Sequence, residues 1–267
     1  MQVLNVFLYA RCCTINNKNA MDIKQYLDAT YLKTAAHAGL SNEENTIVVK
    51  NTVQEAINEG YKLVMIRPDM VAMAKKMITD ANAVLQVGTV IDFPDGESSI
   101  KDKLAQAQIA IENGADDLDY VCNYKAFKKG EINLVKQEIF ECTQLGLSHN
   151  KVVKWIIEVA ALTDKEIIQL SSVIKNGVVT SFNQEQFSNV FVKSSTGFYV
   201  TEAGVPNGAT LHTIKIMLDN ASPLPVKAAG GVRTHQEAVT MINLGVKRIG
   251  TSSAKAIASG QQATNGY

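Results

Sequence analysis

The chain has 267 residues, 46% hydrophobic and 19% charged, and its 26 lysines and arginines balance 26 aspartates and glutamates. That composition suits one large globular core, and a formal net charge of zero argues against nucleic-acid binding through bulk positive charge. Four cysteines, Cys12, Cys13, Cys122 and Cys142, occur without a C-x-x-C pair, which points to reduced thiols in a cytoplasm rather than a disulfide framework.

In chain order, residues 1–20 come first and stand apart. Met1 to Cys13 are largely apolar with only Arg11 charged. The segment lacks the basic start of a signal peptide and is too short to span a bilayer. It reads as an N-terminal extension with no catalytic part; a cleaved or membrane-directed segment is the alternative.

From Met21 onward one rhythm repeats. Eight strands are expected near Tyr26–Thr30, Tyr61–Ile66, Val84–Ile91, Asp116–Val121, Val152–Glu158, Val190–Ser194, Val226–Ala229 and Arg248–Thr251. Helical patterns fill most gaps, for example Ile100–Asn113 and His235–Asn243. Ser41-x-x-Glu44, Thr163-x-x-Glu166 and Thr234-x-x-Glu237 fit capping boxes at helix starts. Gly60, Gly114 and Gly245 follow helical segments, where a left-handed cap favours glycine. Alternating strands and helices predict a parallel sheet, and eight units predict a single-domain (β/α)8 TIM barrel over residues 21–259. A doubly wound open sheet is the alternative, but no G-x-G-x-x-G opens a helix after the first strand. Residues 260–267 are polar and read as a flexible tail.

In a barrel of this kind the active site lies at the C-terminal ends of the strands. Five ionisable groups lie on five expected strands: Asp28, Asp119, Lys154, Lys193 and Lys227. A charge on the outer face would pack against helices, so all five are expected to face inward. Lys193, in F-V-K-S-S-T-G, and Lys227, in P-V-K-A-A-G-G-V-R, stand out. Burial opposes the charged form of a lysine, depresses its pKa and makes a nucleophile suited to Schiff-base chemistry. Lys62 and Lys247 open strands and read as snorkelling side chains; Asp116 and Asp117 read as solvated at the strand entrance. Ser195 lacks a G-x-S-x-G context, and Met70, Met73 and Met77 read as filler. His37, His149, His212 and His235 show no ligand spacing, so no metal site is expected. Glycine-bearing turns at Gly197, at Gly230-Gly231 with Arg233, and from Gly250 to Ser252 and Ser253 point to phosphate, with backbone amides, hydroxyls and the arginine as donors.

These motifs together resemble the deoxyribose-phosphate aldolases, a class I aldolase family. K-S-S-T-G at Lys193 resembles the family's K-T-S-T-G, and K-A-A-G-G-V-R at Lys227 its K-P/A-A-G-G-V/I-R. G-A-D-D-L-D-Y-V at Gly114–Val121, V-K-W-I-I-E at Val153–Glu158 and V-I-D-F-P-D-G at Val90–Gly96 match three further motifs in family order. The resemblance implies reversible cleavage of 2-deoxy-D-ribose 5-phosphate to acetaldehyde and D-glyceraldehyde 3-phosphate, in deoxyribonucleotide catabolism. It implies no metal or organic cofactor, a small phosphorylated sugar and aldehydes as partners, no membrane, and a homodimer or homotetramer. Lys193 would be the Schiff-base nucleophile, Lys227 its electrostatic neighbour and proton carrier, and Asp119 the proton donor and acceptor, with Lys154 and Asp28 in support. Lowering a lysine from about 10.4 by about three units would raise its neutral fraction by a factor on the order of one thousand. A related lysine aldolase for another phosphorylated sugar, or a sugar-phosphate binding protein without turnover, are the competing readings.

Three departures stand against the family pattern. Ser194 replaces the usual threonine, and Phe198 stands where some members carry a lysine that reaches phosphate. Extra residues at Gly177–Gln186 and Tyr199–Asn207 flank the sixth strand, the second set on the active-site side. The chain closes on Tyr267, and a terminal tyrosine aids proton transfer in some relatives. On that reading, deleting Tyr267 slows exchange of the acetaldehyde methyl protons with solvent deuterium, followed by proton NMR; unchanged exchange removes Tyr267 from the mechanism.

Overall fold

Helix starts are written into short polar motifs, and the computed structural model, which describes residues 21–260, follows them. Ser41, Thr163 and Thr234 each accept a hydrogen bond from the backbone N–H three residues on, while Glu44, Glu166 and Glu237 reach back to the cap. Each box satisfies two backbone donors that a helix start would otherwise leave unpaired. The helices so begun are α2 (Asn42–Glu59), α7 (Asp164–Ser181) and α9 (His235–Leu244), in a set completed by α1 (Ala35–Ala38), α3 (Val71–Asp80), α4 (Ile100–Glu112), α5 (Tyr124–Lys128), α6 (Ile132–Ser148), α8 (Leu211–Ala221) and α10 (Ala254–Ser259). Gly60 and Gly245 close α2 and α9 in the left-handed conformation. The expected extension at residues 1–20 and the tail beyond Gly260, Tyr267 included, lie outside the described residues.

Between the helices run β1 (Leu27–Tyr31), β2 (Leu63–Ile66), β3 (Gln86–Ile91), β4 (Asp117–Val121), β5 (Val152–Ile156), β6 (Val190–Lys193), β7 (Val226–Ala229) and β8 (Arg248–Thr251). Each pairs in parallel with the next, and β1 pairs with β8, so the sheet closes into a barrel. The doubly wound alternative is thereby excluded. Five strands, β2 to β6, are shorter than expected, and for β3 and β5 the reason is visible. Val84 is fully exposed ahead of β3. Beyond β5, Glu158 adopts a left-handed φ of 56° and turns the chain away from the sheet.

Period-two alternation divides the apolar residues between two cores. Val64, Ile66, Leu118, Tyr120 and Trp155 face outward into the large core under the helices, where Tyr120 and Trp155 stack with centroids 5.2 Å apart. Leu63, Met65, Val90 and Leu32 form a separate cluster inside the barrel, covered by Phe93 and Phe198. The β2–β3 side of the interior is therefore apolar, which leaves the other strands to carry polar groups. No described helix is long and apolar enough to cross a membrane.

A buried ion cluster on the outside fixes the loop after β3. Lys103 of α4 donates to the carbonyls of Gly96 (2.9 Å) and Val121 (2.8 Å), pairs with Glu138 of α6 and lies 3.3 Å from Asp92. Close packing also seats α6 on β5, the strand that carries Lys154: a Cβ at Gly146 would lie 2.3 Å from Val153 Cγ2. Gly146→Ala is therefore expected to lower stability by about 1–3 kcal/mol through overpacking, despite its better helix propensity. Chemical denaturation followed by circular dichroism reads this; unchanged stability would show that the contact relaxes freely.

Candidate active site

Parallel pairing puts inward-facing residues of neighbouring strands side by side. Asp119 of β4 pairs with Lys154 of β5, Lys193 of β6 with Lys227 of β7, Lys227 with Arg248 of β8, and Gly250 of β8 with Asp28 of β1. All five ionisable residues expected to converge do so, and all are buried. Asp119 stands at the centre: one carboxylate oxygen accepts from Lys154 Nζ at 2.7 Å, the other from Lys193 at 2.8 Å and Lys227 at 2.9 Å. Lys227 also lies 2.6 Å from Asp28.

Two further members of the cluster were not anticipated. Asp117, expected to be solvated, is fully buried; it accepts from Lys154 at 2.6 Å and from Arg248 at 3.2 Å. Two residues before Asp119 on the same strand, it must face the same way, and its two cations make that burial tolerable. Arg248 donates to Asp28 at 2.7 Å. The period-two spacing from Asp119 was the available signal for Asp117. A charged residue ahead of I-G-T was the signal for Arg248. Asp116, by contrast, is half-buried and paired with Lys75 at 2.8 Å. Lys247 is exposed, as its place at a strand entrance suggested.

Burial leads the electrostatics of Lys193. It pushes the ammonium down from 10.5 to about 8, with Lys227 and Lys154 acting in the same direction and Asp119 against them. A lysine at about 8 is about 10% neutral at pH 7, against about 0.03% at 10.5. Burial would raise the Asp119 carboxyl, but Lys154, Lys193 and Lys227 outweigh it and hold the group well below the ordinary range. Asp28 is lowered in the same way by Arg248, Lys227 and Lys154. Lys154 goes up: burial disfavours its charge, yet Asp117 and Asp119 more than offset this. Lys193 is thus the amine poised to lose a proton, beside a carboxylate that remains ionised.

Lys193 opens into a pocket lined by Gly197, Gly230, Gly231, Arg233, Gly250 and Ser252 among the expected phosphate residues, and by Thr30, Leu32, Thr196, Phe198 and Asn207, which sequence reasoning did not select for binding. Ser253 does not line it; its hydroxyl is buried with no hydrogen-bond partner among the described residues. Gly230 and Gly231 take φ of 80° and 93°, open to glycine at little cost. A Cβ at Gly208 would meet the Gly230 carbonyl oxygen at 2.5 Å, so the loop after β6 lies directly on the loop after β7. Gly250 sits within β8 rather than in a turn. A Cβ there would lie 3.0 Å from Lys227 Cε, so this glycine makes room for the lysine.

Glu158 holds the turn that follows Lys193. Its carboxylate accepts from Ser195 Oγ at 2.6 Å, from the Thr196 amide at 3.2 Å and from the Thr196 hydroxyl. Ser195 is therefore a strut, and its Oγ also lies 2.7 Å from the Asn207 carbonyl. Ser194 Oγ donates to the Ala229 carbonyl at 2.8 Å and accepts from the Ala229 amide, joining the ends of β6 and β7. Phe198 packs edge-on to Phe93 with centroids 5.0 Å apart, an apolar wall at the pocket mouth. Among the described residues no group of three or more His, Cys, Asp or Glu side chains is placed to hold a metal ion.

A lysine of lowered pKa at a barrel strand end, a shared carboxylate and a glycine-rich pocket are together a setting suited to carbonyl chemistry. Residues 20–261 match the model of the DeoC/LacD family aldolases. Over 241 residues the chain is 36% identical to the deoxyribose-phosphate aldolase of Thermococcus gammatolerans, covering 90% of this chain and 96% of that one. It is 35% identical over 252 residues to the Lactococcus lactis enzyme of the same name, covering 92% of this chain and 100% of that one. The tetrameric deoxyribose phosphate aldolase of Aeropyrum pernix superposes with a TM-score of 0.71 at 27% identity, over 89% of each chain. The chain belongs to the DeoC/LacD aldolase family.

Proposed function

We propose that this aldolase reversibly cleaves 2-deoxy-D-ribose 5-phosphate to acetaldehyde and D-glyceraldehyde 3-phosphate through an imine on Lys193, within deoxyribonucleotide breakdown in the cytoplasm. The observation that carries this reading is one buried lysine, lowered to about 8, that shares Asp119 with two other lysines and opens into the pocket. Neutral Lys193 attacks C1 of the open-chain sugar, and loss of water gives the protonated imine. The C3 hydroxyl gives up its proton and the C2–C3 bond breaks, its electron pair passing into the C1–C2 enamine. D-Glyceraldehyde 3-phosphate leaves, C2 takes a proton, and water releases acetaldehyde. Asp119, within hydrogen-bond distance of both Lys193 and Lys227, carries protons between them and the substrate. Lys154 and Asp28 support it. Phosphate rests against Gly197, Gly230, Gly231, Arg233, Gly250 and Ser252. The imine itself is the electron sink, so the reaction calls for no metal or organic cofactor. A homodimer or homotetramer is the proposed assembly, in keeping with the tetramer named for the Aeropyrum protein.

Acetaldehyde followed by borohydride should leave a reduced adduct on the peptide containing Lys193, read by mass spectrometry. Its formation rate should rise with pH and level off above a midpoint near 8, because only the neutral amine attacks. An adduct elsewhere, or none, would overturn the assignment. Cleavage assays on 2-deoxyribose with and without the 5-phosphate test the substrate. Equal kcat/KM for the two would remove the phosphate from recognition.

A further inference from the structure

The charged groups inside the barrel form a closed circuit. Around it run Asp117, Arg248 (3.2 Å), Asp28 (2.6 Å), Lys227 (2.6 Å), Asp119 (2.9 Å) and Lys154 (2.7 Å), which returns to Asp117 (2.6 Å). Negative and positive groups alternate, three of each, so the circuit is neutral. Lys193 attaches to it only through Asp119, at 2.8 Å. It is a seventh charge that, among the described residues, has no carboxylate of its own.

We propose that Arg248 and Asp117 are positioning residues that close this neutral ring beneath the site, and that the balance they maintain sets the pH at which Lys193 becomes nucleophilic. The proposal rests on the reading of Lys193 as the imine-forming residue and extends it to two side chains that touch neither Lys193 nor the pocket lining. A charge removed anywhere in the ring leaves it with a net sign, and Lys193 is the group best placed to respond. Fully charged, it makes the seven-group cluster positive; neutral, it leaves the cluster balanced. The groups facing this cluster come from every strand of the charged half: Asp28 on β1, Asp117 and Asp119 on β4, Lys154 on β5, Lys193 on β6, Lys227 on β7 and Arg248 on β8. Beyond them, Glu158, which burial pushes toward its neutral form, feels the charge of Lys193, and Arg233 lines the pocket.

The two residues should act in opposite directions. Asp117→Asn leaves the ring positive and should move the midpoint of Lys193 trapping to lower pH. Arg248→Met leaves it negative and should move the midpoint to higher pH. Acting on Lys193 across intervening ion pairs at an effective dielectric constant of about 20, each change should shift the midpoint by about one pH unit. The double variant, neutral again, should return close to the wild-type midpoint, and Arg248→Lys should hold it. The experiment is acetaldehyde–borohydride trapping across pH, with the adduct mapped to Lys193 and near-ultraviolet circular dichroism confirming each fold. Arg248→Gln keeps a donor toward Asp28 and replaces Arg248→Met should that variant not fold. Opposite shifts with recovery in the double variant support the ring. Shifts of the same sign, or none, while the wild type traps normally at Lys193 would overturn it and leave the Lys193 assignment standing. A wild type that does not trap at Lys193 sinks both.

Discussion

Everything chemical in this barrel depends on keeping several charges together out of water. Taking a carboxylate or an ammonium from water costs several kcal/mol even after relaxation, so isolated charges do not persist there. Here three carboxylates and three cations alternate around a circuit supported by β1, β4, β5, β7 and β8, and each has at least one opposite partner within 3.2 Å. Closure of the sheet is what makes the circuit possible. Arg248 reaches Asp28 because β8 pairs with β1, and that final pairing joins the first and last strands of the chain. An open sheet with the same strands would leave that contact unmade.

The rest of the site follows from this polar interior. The opposite side, built from Leu32, Leu63, Met65 and Val90 under Phe93 and Phe198, is apolar, and Leu32 and Phe198 carry that character into the pocket lining. Gly250 has no side chain because Lys227 crosses its face. Glu158 and Ser194 lock the turn and strand end that follow Lys193, so this proposed nucleophile is presented from a strand end braced by hydrogen bonds. On the outside, the Lys103–Glu138 pair ties the loop that carries Phe93 to the end of β4. That pair links the aromatic wall to the strand that bears Asp119.

The barrel was legible in the chain because its signals are local. Capping boxes, post-helix glycines and apolar runs each involve a few neighbouring residues, and all three predicted boxes form. The five inward charges were legible because a charge in the middle of an apolar strand is tolerated only where opposite charges or water can meet it, and the barrel interior is where the strands bring them together. Asp117 and Arg248 were not, because both sit at the first position of a strand, where exposure to water is the ordinary outcome. Their burial depends on partners 37 and 220 residues away, at Lys154 and Asp28, and the spacing from Asp119 and the charge ahead of I-G-T hint at an inward face without naming those partners. Lys103 escaped notice for a related reason. On a helix a lysine normally reaches water, and its partner Glu138 is 35 residues on.

The structure also orders the causes behind the lowered lysine. Burial was expected to depress its pKa, and the family resemblance added the positive charge of Lys227 as a second cause. Lys227 does act in that sense, but burial comes first and Asp119 opposes both. The ring accounts for this order. Lys227 is tolerated in the interior only because Asp28 and Asp119 lie within 3 Å of it. Asp119, which touches Lys193 directly, outweighs Lys227 there. What remains is the loss of water around Lys193 and its lack of a dedicated counter-charge. Lys193, the proposed nucleophile, is therefore singled out less by a hostile neighbour than by being the odd member of an otherwise balanced set.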